Sequence, residues 1–340
     1  MMAAVLYGRE DLRIETVATP MIEPGDLLVR VRTALTCGTD VKVFRRGYHA
    51  RMIVPPALFG HELAGDVVAV GEEVTRFRIG DRIVAANSAP CRRCLYCSKG
   101  LENLCADLLF NNGAYAEYMR IPARIVESNT YPLPEHVSYQ DAALSEPLAC
   151  VMRGLEETGL QAGDHIAVIG LGPIGLMFVR LAKVKGAKVM AIGRRPSQLE
   201  QAARMGADEL LLSSEDVVAR AKAWSRGHGV DVAIEAVGVP ETWELAVNLV
   251  RRGGTVNFFG GCPNDSRVQL DTSLLHYSEI TCKASFHHTP VYIEKALGAI
   301  SRGYVTADDL VNRVEPLANL LEVMRYLMSH NGHMKTAIVP

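Results

Sequence analysis

Hydrophobic and polar residues alternate with a period of two along the first third of the chain. Over residues 27–32, Val29 and Val31 alternate with Arg30 and Arg32, which predicts a strand with one face buried. Comparable runs occur up to Tyr7 and over 12–17, 63–70 and 82–86, separated by the turn residues Gly8, Pro20, Pro24, Gly71 and Gly80. Many short strands with little helical periodicity predict a small barrel or sandwich.

Near Leu144 the period changes. Helical runs from Pro147, up to Lys185, and over 198–205, 217–225 and 241–251 alternate with apolar strand runs over 165–170, 188–192, 210–212, 231–236 and 255–259. That alternation predicts parallel strands with crossover helices, a doubly wound sheet closed by a strand over 280–286. After Thr289-Pro290 come two helical runs, 291–302 and 317–329, and a last short strand over 336–339. No internal repeat interrupts this order.

Composition excludes several classes. With 340 residues and 49% hydrophobic content the chain has enough apolar material for two domains. A formal charge of -2 with both signs interspersed offers no surface for a phosphate backbone, so no nucleic-acid partner is expected. The apolar run 166–179 is broken by Gly170, Gly172, Pro173 and Gly175 and is too short to cross a bilayer, and the N-terminus lacks the pattern of a signal peptide. The expected location is the cytoplasm, with no membrane association. There, eight cysteines are better read as metal ligands or free thiols than as a disulfide framework.

Four of those cysteines, Cys91, Cys94, Cys97 and Cys105, follow C-x2-C-x2-C-x7-C in a segment with few apolar residues. Four thiolates at that spacing predict a closed, tetrahedral, structural zinc that supplies folding energy the segment otherwise lacks. A second constellation is open. Cys37-Gly38-Thr39-Asp40, followed by Gly60-His61-Glu62, offers a sulfur, an imidazole and a carboxylate, ligand types that hold zinc with a coordination position left for substrate.

Gly170-Leu171-Gly172-Pro173-Ile174-Gly175 fits G-x-G-x-x-G between a predicted strand and a predicted helix, the context that a dinucleotide site requires. The glycines let the backbone approach a pyrophosphate at the helix N-terminus. Where an acidic residue would take the ribose hydroxyls of NAD, this chain has Gly193-Arg194-Arg195. Two guanidinium groups suit a 2'-phosphate, so NADP is favoured and NAD remains the alternative.

Together these motifs, with Glu146-Pro147-Leu148, resemble the zinc-containing medium-chain dehydrogenase/reductase family over nearly the whole chain, most of all its polyol (sorbitol-type) and threonine dehydrogenase branch. The resemblance implies a barrel-like (GroES-like) catalytic zinc domain at 1–148 and 290–340 with a structural zinc lobe at 88–108, and a Rossmann nucleotide domain at 149–289. It implies two zinc ions and a homo-oligomer, dimer or tetramer. Cys37, His61, Glu62 and Glu146 match the catalytic zinc site, Glu62 binding directly or through water and Glu146 beside the metal. For Glu146 a helix first turn is the structural alternative. Asp40 matches the residue that supports His61. Thr39 matches the hydroxyl that takes the substrate proton; as a structural residue it would cap a short helix after Cys37. Lys42 stands where many relatives carry a proton-relaying His. Val237, Gly238, Phe259, Gly260 and Phe286 extend the implied cofactor site. His287 and His288 align with a segment lining the nicotinamide and substrate cleft of relatives, or else form an exposed loop.

The implied reaction is reversible hydride transfer between NADP(H) and a secondary alcohol, most of all a small hydroxylated substrate such as a polyol, sugar alcohol or cyclitol. A threonine 3-dehydrogenase-like or general alcohol dehydrogenase is the runner-up. Two other classes compete: a zinc-free reductase of activated double bonds, against which Cys37, His61 and Glu62 argue, and a non-catalytic NADPH-binding protein.

Overall fold

The computed structural model describes residues 1–49, 51–329 and 334–340, and the chain divides into two compact units, Met1–Ala149 with His288–Pro340, and Cys150–His287. In the first unit the strand Leu27–Leu35 is central. It pairs antiparallel with Glu62–Val70 on one side, with Tyr118–Ile121 over its first half, and with Lys335–Val339 at its end. Arg82–Ala85 and Thr130–Pro132 extend the sheet beyond Glu62–Val70, and Val311–Pro316 extends it beyond Lys335–Val339. A second sheet joins Asp11–Thr16, Met2–Gly8 and Ala57–Leu58.

The alternation seen in the sequence decides which faces meet. Val29 and Val31 are buried with Leu63, Val67, Ile83 and Ile121 in one apolar cluster, while Arg30 and Arg32 face outward. Burying a side chain of this size stabilises by about 1.5 to 3 kcal/mol. The unit holds more helix than its sequence period suggests: Gly38–Arg46, Ala123–Asn129 and Tyr139–Ala143 are all short helices. Each has fewer than ten residues, too few to establish a 3.6-residue period against the surrounding strands.

The second unit holds one parallel sheet of His165–Ile169, Lys188–Gly193, Glu209–Leu212, Val230–Glu235, Val250–Phe258 and Thr281–Ala284. Counted in chain order, the strands lie 3-2-1-4-5-6. This is the doubly wound order in which the first and fourth strands meet at the switch point, where ligands bind beyond the strand C-termini. Helices Pro173–Val184, Pro196–Arg204, Val217–Trp224 and Pro240–Leu249 link the strands. The helical period over 241–251 runs two residues too far, because Val250 and Arg251 already belong to the next strand.

Candidate metal centre and nucleotide-binding turn

Cys37 sits at the exit of the central strand and caps helix Gly38–Arg46. Its Sγ accepts the Thr39 N–H at 3.4 Å, and Asp40 Oδ2 accepts the Cys37 N–H at 3.3 Å. The capping residue is therefore Cys37 rather than Thr39, which stands inside the first turn. This reciprocal cap fixes the sulfur at the helix N-terminus.

His61 follows Gly60, whose φ of 89° is natural only for glycine, and a Cβ there would lie 2.5 Å from the Tyr115 ring. The turn points His61 Nδ1 at Asp40 Oδ1, 2.9 Å away. With Nδ1 as donor, Nε2 is left to meet a cation, the arrangement by which a carboxylate orients a metal-binding imidazole. Asp40 is itself held by Tyr115, whose hydroxyl lies 2.6 Å from Oδ2 in a fully buried position. Burial pulls His61 down, but Asp40 and Cys37 outweigh it and hold the imidazole well above its usual range. A positive charge among these groups is thus favoured, as a proton or as a metal ion.

Donor atoms of Cys37, His61 and Glu62 all lie within 4.8 Å of one another. Sulfur, imidazole and carboxylate at that spacing fit a zinc ion. Glu62 has a second partner that sequence reasoning missed. Lys335 Nζ donates to Glu62 Oε1 at 2.7 Å, to Oε2 at 2.6 Å and to the Thr36 carbonyl at 3.0 Å, all in the interior. Burial pushes Glu62 up to about 7 although Lys335 and His61 pull the other way, and Glu146 adds to the rise. Glu146 is not part of the three-residue set; it occupies the first turn of helix Ser145–Glu156, with Oε1 3.6 Å from His288 Nε2. His288 is buried and lies 3.2 Å from Asn87 Oδ1, so it is not in an exposed loop.

Thr39, whose amide donates to Cys37 Sγ, lines a polar cavity of about 200 Å³ together with Lys42, Val43, Arg46, Tyr48 and His49. Thr39 is half-buried, and Lys42 is exposed at its rim.

Sulfurs of Cys91, Cys94, Cys97 and Cys105 also converge within 4.8 Å, and none is in a disulfide. The short helix Leu95–Ser98 between them buries no residue, and Leu95, Tyr96, Leu101 and Leu104 are exposed. Amide hydrogen bonds to Cys94, from Cys97 first and then from Ala106 at 3.5 Å, pull that thiol down to about 6, while burial pushes neighbouring Cys97 up to about 12. An uncored lobe with converging sulfurs fits a tetrahedral zinc.

In the second unit, Gly170 to Gly175 form the turn from strand His165–Ile169 into helix Pro173–Val184, with Gly172 as N-cap and Pro173 opening the helix. A Cβ on Gly175 would lie 1.7 Å from the Gly170 carbonyl oxygen, so only glycine lets the helix pack this close to the strand. A Cβ on Gly172 would meet nothing within 4 Å, the open space that an approaching phosphate needs. Ile174 follows in the first helical turn.

Gly193 ends the second strand, Arg194 is exposed, and Arg195 is the N-cap of helix Pro196–Arg204. Neither arginine pairs with a carboxylate among the described residues. Val237 and Gly238 follow the fourth strand, Phe259 and Gly260 the fifth, and the half-exposed Phe286 the sixth, all at strand C-termini. Glu235, which sequence reasoning did not single out, ties these loops. Its Oε1 accepts from the Val237 and Gly238 amides at 2.8 Å and from Thr242 Oγ1 at 2.7 Å, while its backbone carbonyl accepts from Gly260 at 2.9 Å. An acidic residue in an apolar strand is the signal that marks it, as a lysine in the last strand marks Lys335.

Among the described residues no helix is long and apolar enough to cross a membrane. Residues 173–302 match the zinc-binding dehydrogenase model and residues 23–135 the alcohol dehydrogenase GroES-like domain model. Sorbitol dehydrogenase of Bacillus subtilis is 32% identical over 100% of this chain and 97% of its own length. L-threonine 3-dehydrogenase of Bacillus licheniformis is 35% identical over 74% of this chain and 73% of its own. A chain from Sinorhizobium meliloti solved bound to NADP superposes with a TM-score of 0.90 at 30% identity, covering 100% of this chain and 99% of that one. With the zinc-type donor sets and the nucleotide turn already in place, these likenesses assign the chain to the zinc-containing medium-chain dehydrogenase/reductase family, in its polyol and threonine dehydrogenase branch, as a zinc-dependent oxidoreductase of CH–OH donors that uses a nicotinamide cofactor.

Proposed function

We propose that the protein interconverts a secondary alcohol and its ketone on a polyol, sugar alcohol or cyclitol, with NADP as the preferred cofactor. The observation that carries this reading is the convergence of Cys37, His61 and Glu62 within 4.8 Å of one another beside a polar cavity bordered by Thr39. In this reading residues 1–148 and 290–340 are the catalytic zinc domain, 88–108 the structural lobe and 149–289 the dinucleotide-binding domain. The open centre and the four-cysteine lobe hold two zinc ions.

Cys37 and His61, with Glu62 directly or through water and Glu146 beside them, would hold a zinc ion, which would supply Lewis acidity that lowers the pKa of the substrate hydroxyl. Asp40 keeps the His61 tautomer that presents Nε2. Thr39 Oγ1 receives the substrate proton as it releases its own toward solvent, and Lys42, exposed at the rim of the same cavity, donates a hydrogen bond along that exit. Gly170, Gly172, Pro173, Ile174 and Gly175 cradle the pyrophosphate. Val237, Gly238, Phe259, Gly260 and Phe286, at the strand C-termini, would line the approach of a nicotinamide, the group that would supply the hydride chemistry. The polar lining of the Thr39 cavity suits a substrate with several hydroxyls. A panel of polyols, amino alcohols and simple alcohols, assayed with both cofactors, tests this. The highest kcat/KM is expected for a polyol, with threonine second; a simple alkyl alcohol ahead of both defeats the polar-substrate reading.

NADP preference rests on Arg194 and Arg195. Charge-assisted hydrogen bonds are worth about 1.5 to 3 kcal/mol each, or about one to two decades of preference per bond. Placing Asp at Gly193 would also displace Leu171, whose Cδ1 would lie 2.8 Å from the new Cβ. The Arg194→Ala, Arg195→Ala double variant is cleaner. It is expected to lose kcat/KM with NADP by at least about ten-fold while changing NAD little; a wild type that already prefers NAD refutes the assignment.

A homo-oligomer, dimer or tetramer, is part of the same proposal. Strand Thr281–Ala284 ends its sheet with all four residues exposed, the kind of unprotected edge that pairs with another chain. Sedimentation at micromolar concentration is expected to give a dimer or tetramer, and a monomer there rules it out.

A further inference from the structure

The cavity that Thr39 lines is more than polar. Lys42 and Arg46 stand four residues apart on helix Gly38–Arg46, hence on one face, and both line it with Tyr48 and His49. No acidic residue is in the lining, and neither cation has a carboxylate partner among the described residues. Arg46 at the helix C-terminus is favoured by the helix dipole, but that field is confined to the last turn and does not account for a second like charge at Lys42. Neighbouring Arg45 turns away, donating to the Met328 carbonyl at 3.2 Å. The Arg46 guanidinium instead lies 5.9 Å from the Tyr48 ring centroid.

His49 contributes a donor rather than a base. Its Nδ1 accepts the amides of Arg51 at 3.2 Å and Met52 at 3.1 Å, which leaves Nε2 to carry the proton. The cavity thus assembles an ammonium, a guanidinium, a phenol and an imidazole N–H, four donors with no counter-charge. Lys42 and Arg46 stand about 4.5 and 10.5 Å further along the helix axis than Thr39, at 1.5 Å rise per residue. That is the reach of a short carbon chain extended from a hydroxyl held at Thr39.

We propose that this cavity is a subsite for the terminal oxyanion group of the substrate, making the preferred substrate an anionic polyol, either a sugar acid or a polyol phosphate. The inference rests on the reading of Cys37, His61 and Thr39 as the catalytic centre and specifies its substrate class.

The test compares sorbitol, gluconate and sorbitol 6-phosphate as substrates of the zinc-loaded enzyme, for wild type and Arg46→Gln, with inorganic phosphate binding followed by calorimetry in parallel. One of the two anions is expected to exceed sorbitol in kcat/KM by about ten-fold, and which of them does so tells carboxylate from phosphate. The variant is expected to lose that advantage through KM, with sorbitol weakened far less than the anion. The advantage should also shrink as salt rises, because the cations are exposed. A wild type that prefers sorbitol overturns the subsite and leaves the polyol function standing. So does a variant that weakens all three substrates equally, or one that changes only the KM of NADP. If no substrate turns over, phosphate binding that the variant loses upholds the subsite and rejects the catalytic reading; no phosphate binding rejects both.

Discussion

Replacing Lys335 by Met is expected to cost about 3 to 5 kcal/mol of stability, the usual result of leaving one member of a buried ion pair behind. The ammonium is 4% exposed, and both oxygens of the fully buried Glu62 accept from it. Methionine restores the volume but no donor, so Glu62 must either stay charged in the interior or take up a proton. With Lys335 present, burial already pushes Glu62 up to about 7. Its loss removes the largest opposing attraction and raises Glu62 further. The sign of the pH effect follows. A carboxylate whose folded pKa lies above its unfolded value binds more protons in the native state, so its stability contribution falls as pH rises between the two values. Denaturant unfolding should therefore show a larger deficit for the variant at pH 8 than at pH 5. Adding Glu62→Gln to Lys335→Met should recover part of it. A deficit below about 1 kcal/mol at both pH values would mean that the pair contributes no more than a surface contact.

Cys37→Ala is expected to abolish turnover while leaving the fold in place. Losing Lewis-acid assistance, worth several kcal/mol of transition-state stabilisation, lowers kcat by roughly a thousand-fold or more. Loss of the sulfur cap costs about 1 kcal/mol, small against the stability of a chain with two apolar cores. Zinc content should fall from two ions per chain to one. The contrasting variant is Cys97→Ser. It should also lower the count to one, but with a clear drop in melting temperature, because helix Leu95–Ser98 buries no side chain that could replace the metal's contribution. Elemental analysis and thermal unfolding on the same preparations separate the two. Wild-type protein carrying a single zinc, or Cys37→Ala retaining two, would show that the open centre is not a metal site.

Much of this architecture is local and could be read along the chain. Strand and helix periods in 165–259 correspond to observed elements to within two residues or so, apart from the strand expected over 255–259, which begins at Val250, because the central parallel strands are buried on both faces and each crossover helix carries its own apolar stripe. Gly175 was legible for a related reason: a one-atom side chain is the only answer to a helix packed on the preceding turn, whatever lies elsewhere. The four cysteines of the lobe fall within fifteen residues, so spacing alone implied convergence.

Helix Gly38–Arg46 was legible only as a structural alternative for Thr39, with the cap misplaced, since a cysteine is an unusual cap and nine residues hold too little period to outvote neighbouring strands. Lys335 and Tyr115 stand far from Glu62 and Asp40 in sequence, and only the pairing of Lys335–Val339 with the central strand brings the ammonium to the carboxylate. Residue types and spacing within a segment thus determined which chemistry the chain carries. Which buried charge faces which, and that Lys42, Arg46 and His49 share one cavity, was decided by tertiary packing, because electrostatic partners are set by distance through space, which sequence separation does not encode.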